Sequence, residues 1–227
     1  MKFGKIDYLN LLPFHVYLKR SALSSYKKAA IEYKKGVPSR QNTALRRKSV
    51  DAAIISSVQS SRKNYKSLDF GIVAKHEVKS VLVRKNSPPQ KDAASASSNA
   101  LAAVLGLNGE VIIGDRALRA YINEGADKFI DLAKLWHERT NGLCFVFARF
   151  CYTSHKSACK RLVRGFLKTQ KNASIKIPRY ILQNYSKSRQ ISQKDILEYL
   201  KLISYHIGKK EKKALKLFLK QVKNLKK

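Results

Sequence analysis

The chain has 227 residues, of which 44% are hydrophobic, and a formal net charge of +32 at pH 7. This length suits one large or two small domains and is sufficient for a hydrophobic core. The opening residues, MKFGKIDYLN, contain no apolar segment of signal-peptide length, and no run of about 18 uncharged apolar residues occurs anywhere. We therefore expect a cytoplasmic protein that does not interact with a membrane.

The cysteines and histidines form neither a metal-binding nor a disulfide pattern. Cys144, Cys151 and Cys159 are odd in number and share no CxxC spacing, and the five histidines are scattered. An uneven set without paired spacing favours buried free thiols, which behave as small hydrophobic side chains. The sequence also lacks the glycine-rich loops that bind nucleotides and dinucleotides. We therefore predict no metal and no cofactor.

The excess of lysine permits two interpretations. Residues 154–227 contain 21 Lys and Arg against 3 Asp and Glu. Such a surface can follow a phosphate backbone, or it can be the solvated side of amphipathic helices. Because the lysines are spread along the whole chain and no nucleic-acid-binding motif accompanies them, we favour the solvated surface and predict no nucleic-acid partner.

Strand and helix patterns alternate through the first two thirds of the chain. The first strand covers residues 2–8 and runs into a turn, after which Pro13 opens an apolar helix. Pro38 opens a second helix that continues to Leu45. Further strands are predicted at residues 29–33, 50–55, 70–74, 78–83, 111–113 and, weakly, 128–132, with helices at 100–107, from 114 onward and at 133–139. This alternation favours parallel strand pairing and an α/β fold class.

The clearest apolar segment lies within residues 136–150. A polar turn at Asn141 and Gly142 precedes the uncharged residues 143–148. A short apolar run after a turn is typical of a strand that is covered on both faces, as at the centre of a sheet. Beyond this predicted central strand the sequence favours helices at 154–169 and 178–187, a helix capped by Ser192 and terminated by Gly208, and a last amphipathic helix.

Polar residues mark two places where an anion can bind. Asn10 lies where the first strand meets its helix, and open α/β sheets bind ligands at that edge. Ser95, Ser97 and Ser98 follow a Pro-Pro pair and precede a helix. These serines are N-cap residue types, so simple capping is one interpretation. The other is an anion site, because hydroxyls and free N–H groups at the positive end of a helix suit a carboxylate or phosphate.

Several short segments, each weak alone, occur together in one order. They are Tyr8-Leu9-Asn10 with Pro13, residues 51–57 (DAAIISS), residues 78–82 (VKSVL), Ile113-Gly114-Asp115 with Ala117-Leu118, Asp131-Leu132, Trp136, and residues 140–148. In this order the chain resembles the chorismate dehydratases of the futalosine route to menaquinone, over residues 2–152.

The resemblance implies the type II periplasmic-binding-protein fold, in which two α/β lobes hold a ligand in the cleft between them. Residues 78–84 would cross into the second lobe, and residues 143–150 would return. Lobe 1 would then consist of residues 1–84 and 147–227, including the extra C-terminal helices, and the smaller lobe 2 of residues 85–146.

The resemblance also implies a lyase that removes water from chorismate to give 3-[(1-carboxyvinyl)oxy]benzoate, the first step of the futalosine route. Asn10 would be the catalytic residue and would hold the substrate beside the leaving hydroxyl. Ser80 and the helix end at Ser97-Ser98 would bind carboxylates. The full set of substrate-binding residues would be Ser56, Ser57, Ser80, Ser95, Ser97, Ser98, Thr140, Asn141 and Gly142.

The general base for such a reaction is not evident. No His or Glu falls among the matched polar residues, and Asp115 is as readily a helix cap. One of the substrate's own carboxylates can remove the proton instead.

The chain departs from the family pattern in two respects. The segment between Leu107 and Val111 is shorter than the family has, and Cys144 stands where proline is expected. A non-catalytic protein of the same fold that binds a small carboxylate anion is the alternative function, because fold alone does not settle function. The sequence gives no indication of the oligomeric state.

Overall fold

Two β-sheets of unequal size organise the chain in the computed structural model, which describes residues 1–172 and 176–225. The strands within these residues are β1 (Phe3–Gly4), β2 (Ala52–Ser56), β3 (Lys66–Ala74), β4 (Val81–Arg84), β5 (Glu110–Ile113), β6 (Phe129–Asp131), β7 (Phe145–Tyr152) and β8 (Ile203–His206). The larger sheet has the order β1-β2-β7-β3-β8, and the smaller sheet has the order β5-β4-β6.

Helices cover the sheets. They are α1 (Leu12–Arg20), α2 (Ser25–Tyr33), α3 (Pro38–Arg46), α4 (Ser57–Ser60), α5 (Ala96–Val104), α6 (Gly114–Glu124), α7 (Leu132–Arg139), α8 (Lys156–Asn172), α9 (Arg179–Arg189), α10 (Gln193–Lys201) and α11 (Lys209–Asn224), with 3-10 turns at Leu9–Leu11 and Ala126–Lys128. No helix of the described residues is both long enough and apolar enough to span a membrane.

The predicted central strand is confirmed. Strand β7 is the middle strand of the larger sheet, and all but one of its residues are buried. It pairs with β2 on one side, where Ile54 lies opposite Phe150, and with β3 on the other, where Ile72 lies opposite Ala148. A strand between two neighbours, with both faces covered, requires the continuous apolar run that the sequence shows.

The prediction of parallel pairing is wrong for most of the fold. Strands β1 and β2 are parallel, whereas β7 runs antiparallel to both β2 and β3, and β4 runs antiparallel to both β5 and β6. Alternating strand and helix patterns predict which elements exist but not which strands become neighbours. Here β4 lies between β5 and β6, so these two strands, which follow each other across α6, are not neighbours in the sheet.

Two predicted elements are wrong in type. Residues 29–33 belong to α2, whose N-cap Ser24 accepts a hydrogen bond from the Lys27 N–H at 3.5 Å. A short apolar run is ambiguous between strand and helix, and here the cap decides it. The helix predicted to run to Gly208 ends at Lys201, because residues 203–206 form β8 with alternating burial. Gly208 instead precedes α11, where its N–H donates to the Glu211 carboxylate at 2.8 Å.

An aromatic cluster joins the larger sheet to its helices. The ring of Phe14 in α1 lies 4.9 Å from that of Phe70 in β3 and 5.0 Å from that of Phe166 in α8. All three side chains are fully buried. Edge-on and tilted ring contacts of this kind add to the free energy of burying the apolar surface. The cluster fixes α1, and therefore the turn at Leu9–Leu11 that precedes it, against the sheet.

Residues 75–80 lead from the larger sheet to the smaller one, and Asp131 fixes their position. Its Oδ2 accepts the N–H groups of Val78 at 2.9 Å and Lys79 at 2.6 Å, and its Oδ1 caps α7 through the N–H groups of Ala133 and Lys134. Burial raises the pKa of this carboxyl group, and the four N–H donors act in the opposite direction. One side chain therefore ties the connection between the sheets to the start of α7.

The close contact of β3 with β7 at Gly71 generates a prediction about stability. A Cβ atom at Gly71 would lie 2.1 Å from the backbone carbonyl oxygen of Ala148, which cannot move without breaking the strand pairing. Gly71→Ala is therefore expected to lower the free energy of unfolding by about 2–3 kcal/mol, as overpacking does. Urea denaturation measures the difference.

Gly36→Ala is the matched control. A Cβ at Gly36 would meet Arg40 Cδ at 2.8 Å, which is the far end of a flexible side chain. Its cost is expected to stay below about 1 kcal/mol, since the exposed Arg40 side chain can move away. Equal losses for the two variants would contradict this account of the β3–β7 contact.

Candidate functional site

A cleft lies between the two sheets and encloses about 490 Å³ of empty space, its mouth included. Its walls come from segments that are far apart in sequence. The lining residues are Ile6, Tyr8, Asn10, Pro38, Ser56, Ile72, Val78, Ser80, Val81, Ser95, Ser98, Ile113, Gly114, Phe147 and Ala148.

Asn10 occupies the turn that the aromatic cluster holds in place. Its side chain is 9% exposed, and its Oδ1 atom is buried with no hydrogen-bond partner among the described residues. Its backbone carbonyl oxygen accepts a hydrogen bond from the Tyr205 hydroxyl at 2.7 Å. Leaving a buried polar atom unpaired costs about 1–3 kcal/mol. A ligand in the cleft that donates to Oδ1 would recover that free energy.

Ser80 precedes β4 and faces the same cleft. Its Oγ atom lies 2.9 Å from the hydroxyl oxygen of Tyr199, and its backbone carbonyl oxygen accepts the Gly114 N–H at 2.8 Å. Both contacts are buried. Ser80 is therefore held by its main chain to the smaller sheet and by its side chain to α10.

Ser95 and Ser98 are placed both to cap a helix and to face the cleft, so helix capping and anion binding, the two interpretations of the sequence, are compatible. Ser95 is the N-cap of α5, where its Oγ accepts the Ser98 N–H at 3.2 Å and lies 2.8 Å from the Ser98 Oγ. Both residues also line the cleft. The positive end of α5 and two hydroxyls thus face the cavity together, which suits an anionic group of a ligand.

Ser56 lines the cleft, but Ser57 and Ser97 are used elsewhere. The Ser56 N–H donates to Asn42 Oδ1 at 3.1 Å, which fixes the end of β2. The Ser57 hydroxyl donates to the carbonyl oxygen of Val146, and the Ser97 Oγ accepts the Val58 N–H at 3.2 Å. Neither Ser57 nor Ser97 is among the residues that line the cleft.

Thr140, Asn141 and Gly142 terminate α7 and are not among the residues that line the cleft. The Thr140 hydroxyl donates to the Trp136 carbonyl oxygen at 2.6 Å, and the Gly142 N–H donates to the His137 carbonyl oxygen at 2.9 Å. Asn141 and Gly142 have φ angles of 51° and 85°, the left-handed conformation that ends helices. These polar groups complete a helix end.

Three tyrosines belong to the site and were missed as functional residues. The Tyr8 ring packs on Gly114, where a Cβ would come within 2.8 Å of it, and burial raises the pKa of its hydroxyl to about 12. The other two are Tyr199 and Tyr205, described above. Tyr8 lies in one of the segments that resemble the family, and a glycine at position 114 indicates that another group approaches the backbone there closely. Nothing in the helical pattern around Tyr199 distinguished it from a core residue.

Asp115 holds the turn that carries Asn10 in place. It does not cap α6; its Oδ1 accepts the Leu9 N–H at 2.9 Å, and its Oδ2 accepts a hydrogen bond from Arg189 Nε at 2.8 Å. Burial raises the pKa of this carboxyl group, while Leu9 and Arg189 oppose the shift. Asp115 is not among the residues that line the cleft, so it holds the Asn10 turn rather than contacting a ligand.

The described residues contain no cluster of three or more His, Cys, Asp or Glu side chains that is arranged to hold a metal. The three cysteines are free and buried, and burial raises the pKa of Cys144 to about 11. Thiols in such surroundings are unreactive. The chemical groups offered to a ligand are instead amides, hydroxyls and a helix end.

Fold and cleft define a class of protein. The chain is similar to a solved structure from Archaeoglobus fulgidus (TM-score 0.73, 11% identity, 99% of this chain and 97% of that one). It is also similar to the ligand-binding component of an ABC-type import system from Staphylococcus aureus (TM-score 0.53, 13% identity, 100% and 91%). The predicted periplasmic-binding-protein-like fold, with two α/β lobes and a cleft, is confirmed.

The family follows from the sequence comparisons. The profile described as "Menaquinone biosynthesis" matches residues 1–105 and 94–224. A protein of Campylobacter jejuni subsp. jejuni, named chorismate dehydratase, is 54% identical over 226 residues, which cover 99% of each chain. The chain therefore belongs to the menaquinone biosynthesis family, as the resemblance of its short segments predicted.

The Asp115–Arg189 contact generates a prediction about pH. In Arg189→Met the Asp115 carboxylate loses its cation, so its folded-state pKa should rise further. A raised carboxyl pKa favours the fold below the unfolded value of about 3.9, and this contribution is lost as pH rises toward the folded pKa. The variant should therefore lose stability relative to wild type as pH rises from about 4 toward neutral, by roughly 1–3 kcal/mol.

Urea denaturation of both proteins across this pH range measures the loss. Arg189 also contacts Asp7 at 3.2 Å, so the double variant Asp115→Asn with Arg189→Met is the control. It removes the buried charge and should show a smaller pH dependence than Arg189→Met alone. A loss that is the same at both ends of the pH range would contradict the role given to Asp115.

Proposed function

We propose that this chain is a chorismate dehydratase, which converts chorismate to 3-[(1-carboxyvinyl)oxy]benzoate and water. The observation that carries the proposal is the convergence of Asn10, Ser80, Ser95 and Ser98, from separate segments, on one cleft. The resemblance of the sequence segments to that enzyme family implies the same residues. The relative named chorismate dehydratase, 54% identical over nearly the whole chain, supports the same activity.

The lobes we propose follow the sheets. Among the described strands, β4 pairs with β5 and β6, and β7 pairs with β2 and β3. The sequence assigned residues 1–84 and 147–227 to lobe 1 and residues 85–146 to lobe 2. Sheet membership favours a lobe 2 that begins at β4 and ends before β7, with residues 75–80 and 140–144 as the two connections.

The proposed roles follow the groups that each residue presents. Asn10 has a buried, unpaired amide oxygen, which suits an acceptor for the substrate's C4 hydroxyl. Ser95, Ser98 and the first turn of α5 offer hydroxyls and N–H groups to one carboxylate. Ser80 offers a hydroxyl to a second polar group of the substrate. Ser56 completes the wall on the side of the larger sheet.

The reaction needs a base that removes the C3 proton and a proton for the hydroxide that leaves C4. Removal of the C3 proton leaves its electron pair to form the new ring double bond, and the C4–O bond breaks with its electrons on the hydroxide. Among the described residues that line the cleft there is no His, Asp, Glu or Lys. We therefore assign the proton transfer to a carboxylate of the substrate, which then returns the proton to the hydroxide as water.

The proposal extends to location and partners. A biosynthetic enzyme of this family is expected to act in the cytoplasm on its small-molecule substrate, without a nucleic-acid partner. The alternative is a non-catalytic carboxylate-binding protein of the same fold, and an assay with chorismate distinguishes the two functions. A protein that binds chorismate without forming the aromatic product would favour that alternative.

Substitution of Asn10 tests the catalytic role. Asn10→Ala removes the amide that positions the leaving hydroxyl and is expected to lower kcat by about 100-fold or more, since misplacement of a reacting group by about 1 Å can cost that much. Asn64→Ala, at an exposed asparagine that is not among the cleft residues, is the control and should leave kcat unchanged. Formation of the aromatic product from chorismate is followed by absorbance or chromatography. Wild-type kcat in Asn10→Ala would remove Asn10 from the mechanism.

Substitution of the serine pair tests the carboxylate site. The double variant Ser95→Ala with Ser98→Ala retains the helix end but loses both hydroxyls, so KM should rise by about tenfold, with a smaller change in kcat, as expected for uniform binding. Ser61→Ala is the control, because its hydroxyl donates to the Val58 carbonyl oxygen at an exposed helix end. An unchanged KM would show that the substrate carboxylates bind elsewhere.

A further inference from the structure

We propose that Tyr199 is a positioning residue that fixes the direction in which the Ser80 hydroxyl donates its proton into the cleft. The inference rests on the proposed function and adds to it a residue that neither the sequence segments nor the comparisons assign. Tyr199 comes from α10, in the C-terminal part of the chain, where the sequence predicted only core-forming helices.

Tyr199 reaches Ser80 across a long separation in sequence. Its side chain is 3% exposed, and it shares the buried side of α10 with the fully buried Ile196. Its hydroxyl oxygen lies 2.9 Å from the Ser80 Oγ, a buried contact between residues 119 positions apart. A single hydrogen bond therefore connects α10 to the residue that opens β4. No other hydrogen-bond partner of Ser80 Oγ occurs among the described residues.

The direction of this hydrogen bond follows from what each group can do. Burial raises the pKa of the Tyr199 hydroxyl, so it keeps its proton at neutral pH. Among the described residues, the Ser80 Oγ is its acceptor. Ser80 lines the cleft, so its proton can go to a ligand there, whereas Tyr199 does not line the cleft and its hydroxyl has no other acceptor among the described residues. Tyr199 therefore donates to Ser80 rather than accepting from it.

The consequence is a defined donor in the cleft. A serine hydroxyl has one proton and two acceptor positions. Because Tyr199 occupies an acceptor position, the Ser80 proton is free to point toward the substrate. Asn10, which lines the same cleft, has a buried amide oxygen without a partner among the described residues. The substrate then meets a fixed donor and a fixed acceptor, and neither has to reorient during the reaction.

The variant Tyr199→Phe keeps the ring and removes the hydroxyl. Without Tyr199 the Ser80 hydroxyl can rotate, so kcat is expected to fall about 10- to 100-fold while KM changes less than about threefold. In a Ser80→Ala background the same substitution should have no further effect, because there is then no hydroxyl to orient. Product formation from chorismate gives kcat and KM for the four proteins of this cycle.

The matched control is Tyr152→Phe, a buried tyrosine at the far end of β7 that is not among the cleft residues. It should leave kcat unchanged. Thermal unfolding of each variant establishes that it is folded. If Tyr199→Phe does not fold, replacement of Tyr199 by 3-fluorotyrosine keeps the volume and the hydroxyl but strengthens the donor, and kcat should then change at least twofold.

Two results would overturn the inference and leave the proposed function intact. One is a wild-type kcat in folded Tyr199→Phe or in the fluorotyrosine protein. The other is an equal fall in kcat for Tyr199→Phe in the wild-type and Ser80→Ala backgrounds, which is what a merely structural tyrosine would produce. A wild-type protein that forms no aromatic product would instead overturn the proposed function, and this inference with it.

Discussion

The geometry of the cleft depends on one buried carboxylate. Asp115 lies at the start of α6, beside the smaller sheet, yet it accepts hydrogen bonds from the Leu9 N–H and from Arg189 in α9. Removal of the carboxylate from water opposes ionisation and raises its pKa, and these two donors offset part of that cost. Leu9 is the residue before Asn10. The hydrogen bond between the Leu9 N–H and Asp115, which joins the side of the larger sheet to that of the smaller one, therefore sets the position of the Asn10 amide.

The C-terminal part of the chain therefore belongs to the site rather than only to the core. Arg189 from α9 compensates Asp115, Tyr199 from α10 contacts Ser80, and Tyr205 from β8 holds the backbone of Asn10. All three act on residues between 10 and 115 without lining the cleft themselves. Hydrogen bonds to rigid partners of this kind keep functional groups in place, whereas apolar packing alone would permit rotation of a hydroxyl or an amide.

Sequence patterns predicted what depends on local composition and missed what depends on distant partners. The central strand was predictable because burial on both faces demands an apolar run. Residues 29–33 and 203–206 were not, because four or five apolar-rich residues fit either a helix or a strand until caps and neighbours decide. Asn10 and Ser95 were predicted because they stand at the ends of elements, and Ser80 because of the family resemblance. The residues at the end of α7 are not among the cleft residues, because helix termination uses their polar groups.

The absence of charge in the cleft bears on how the reaction can run. Among its described lining residues no Lys, Arg or His occurs, although the chain as a whole carries a net charge of +32. A cation beside a substrate carboxylate would favour its ionised form and lower its pKa, which would weaken it as a base. Hydroxyls and a helix end bind the same group with less loss of basicity. A lining of neutral donors therefore holds the substrate while leaving one of its carboxylates able to remove the C3 proton, and the basic surface is confined to positions outside the cleft.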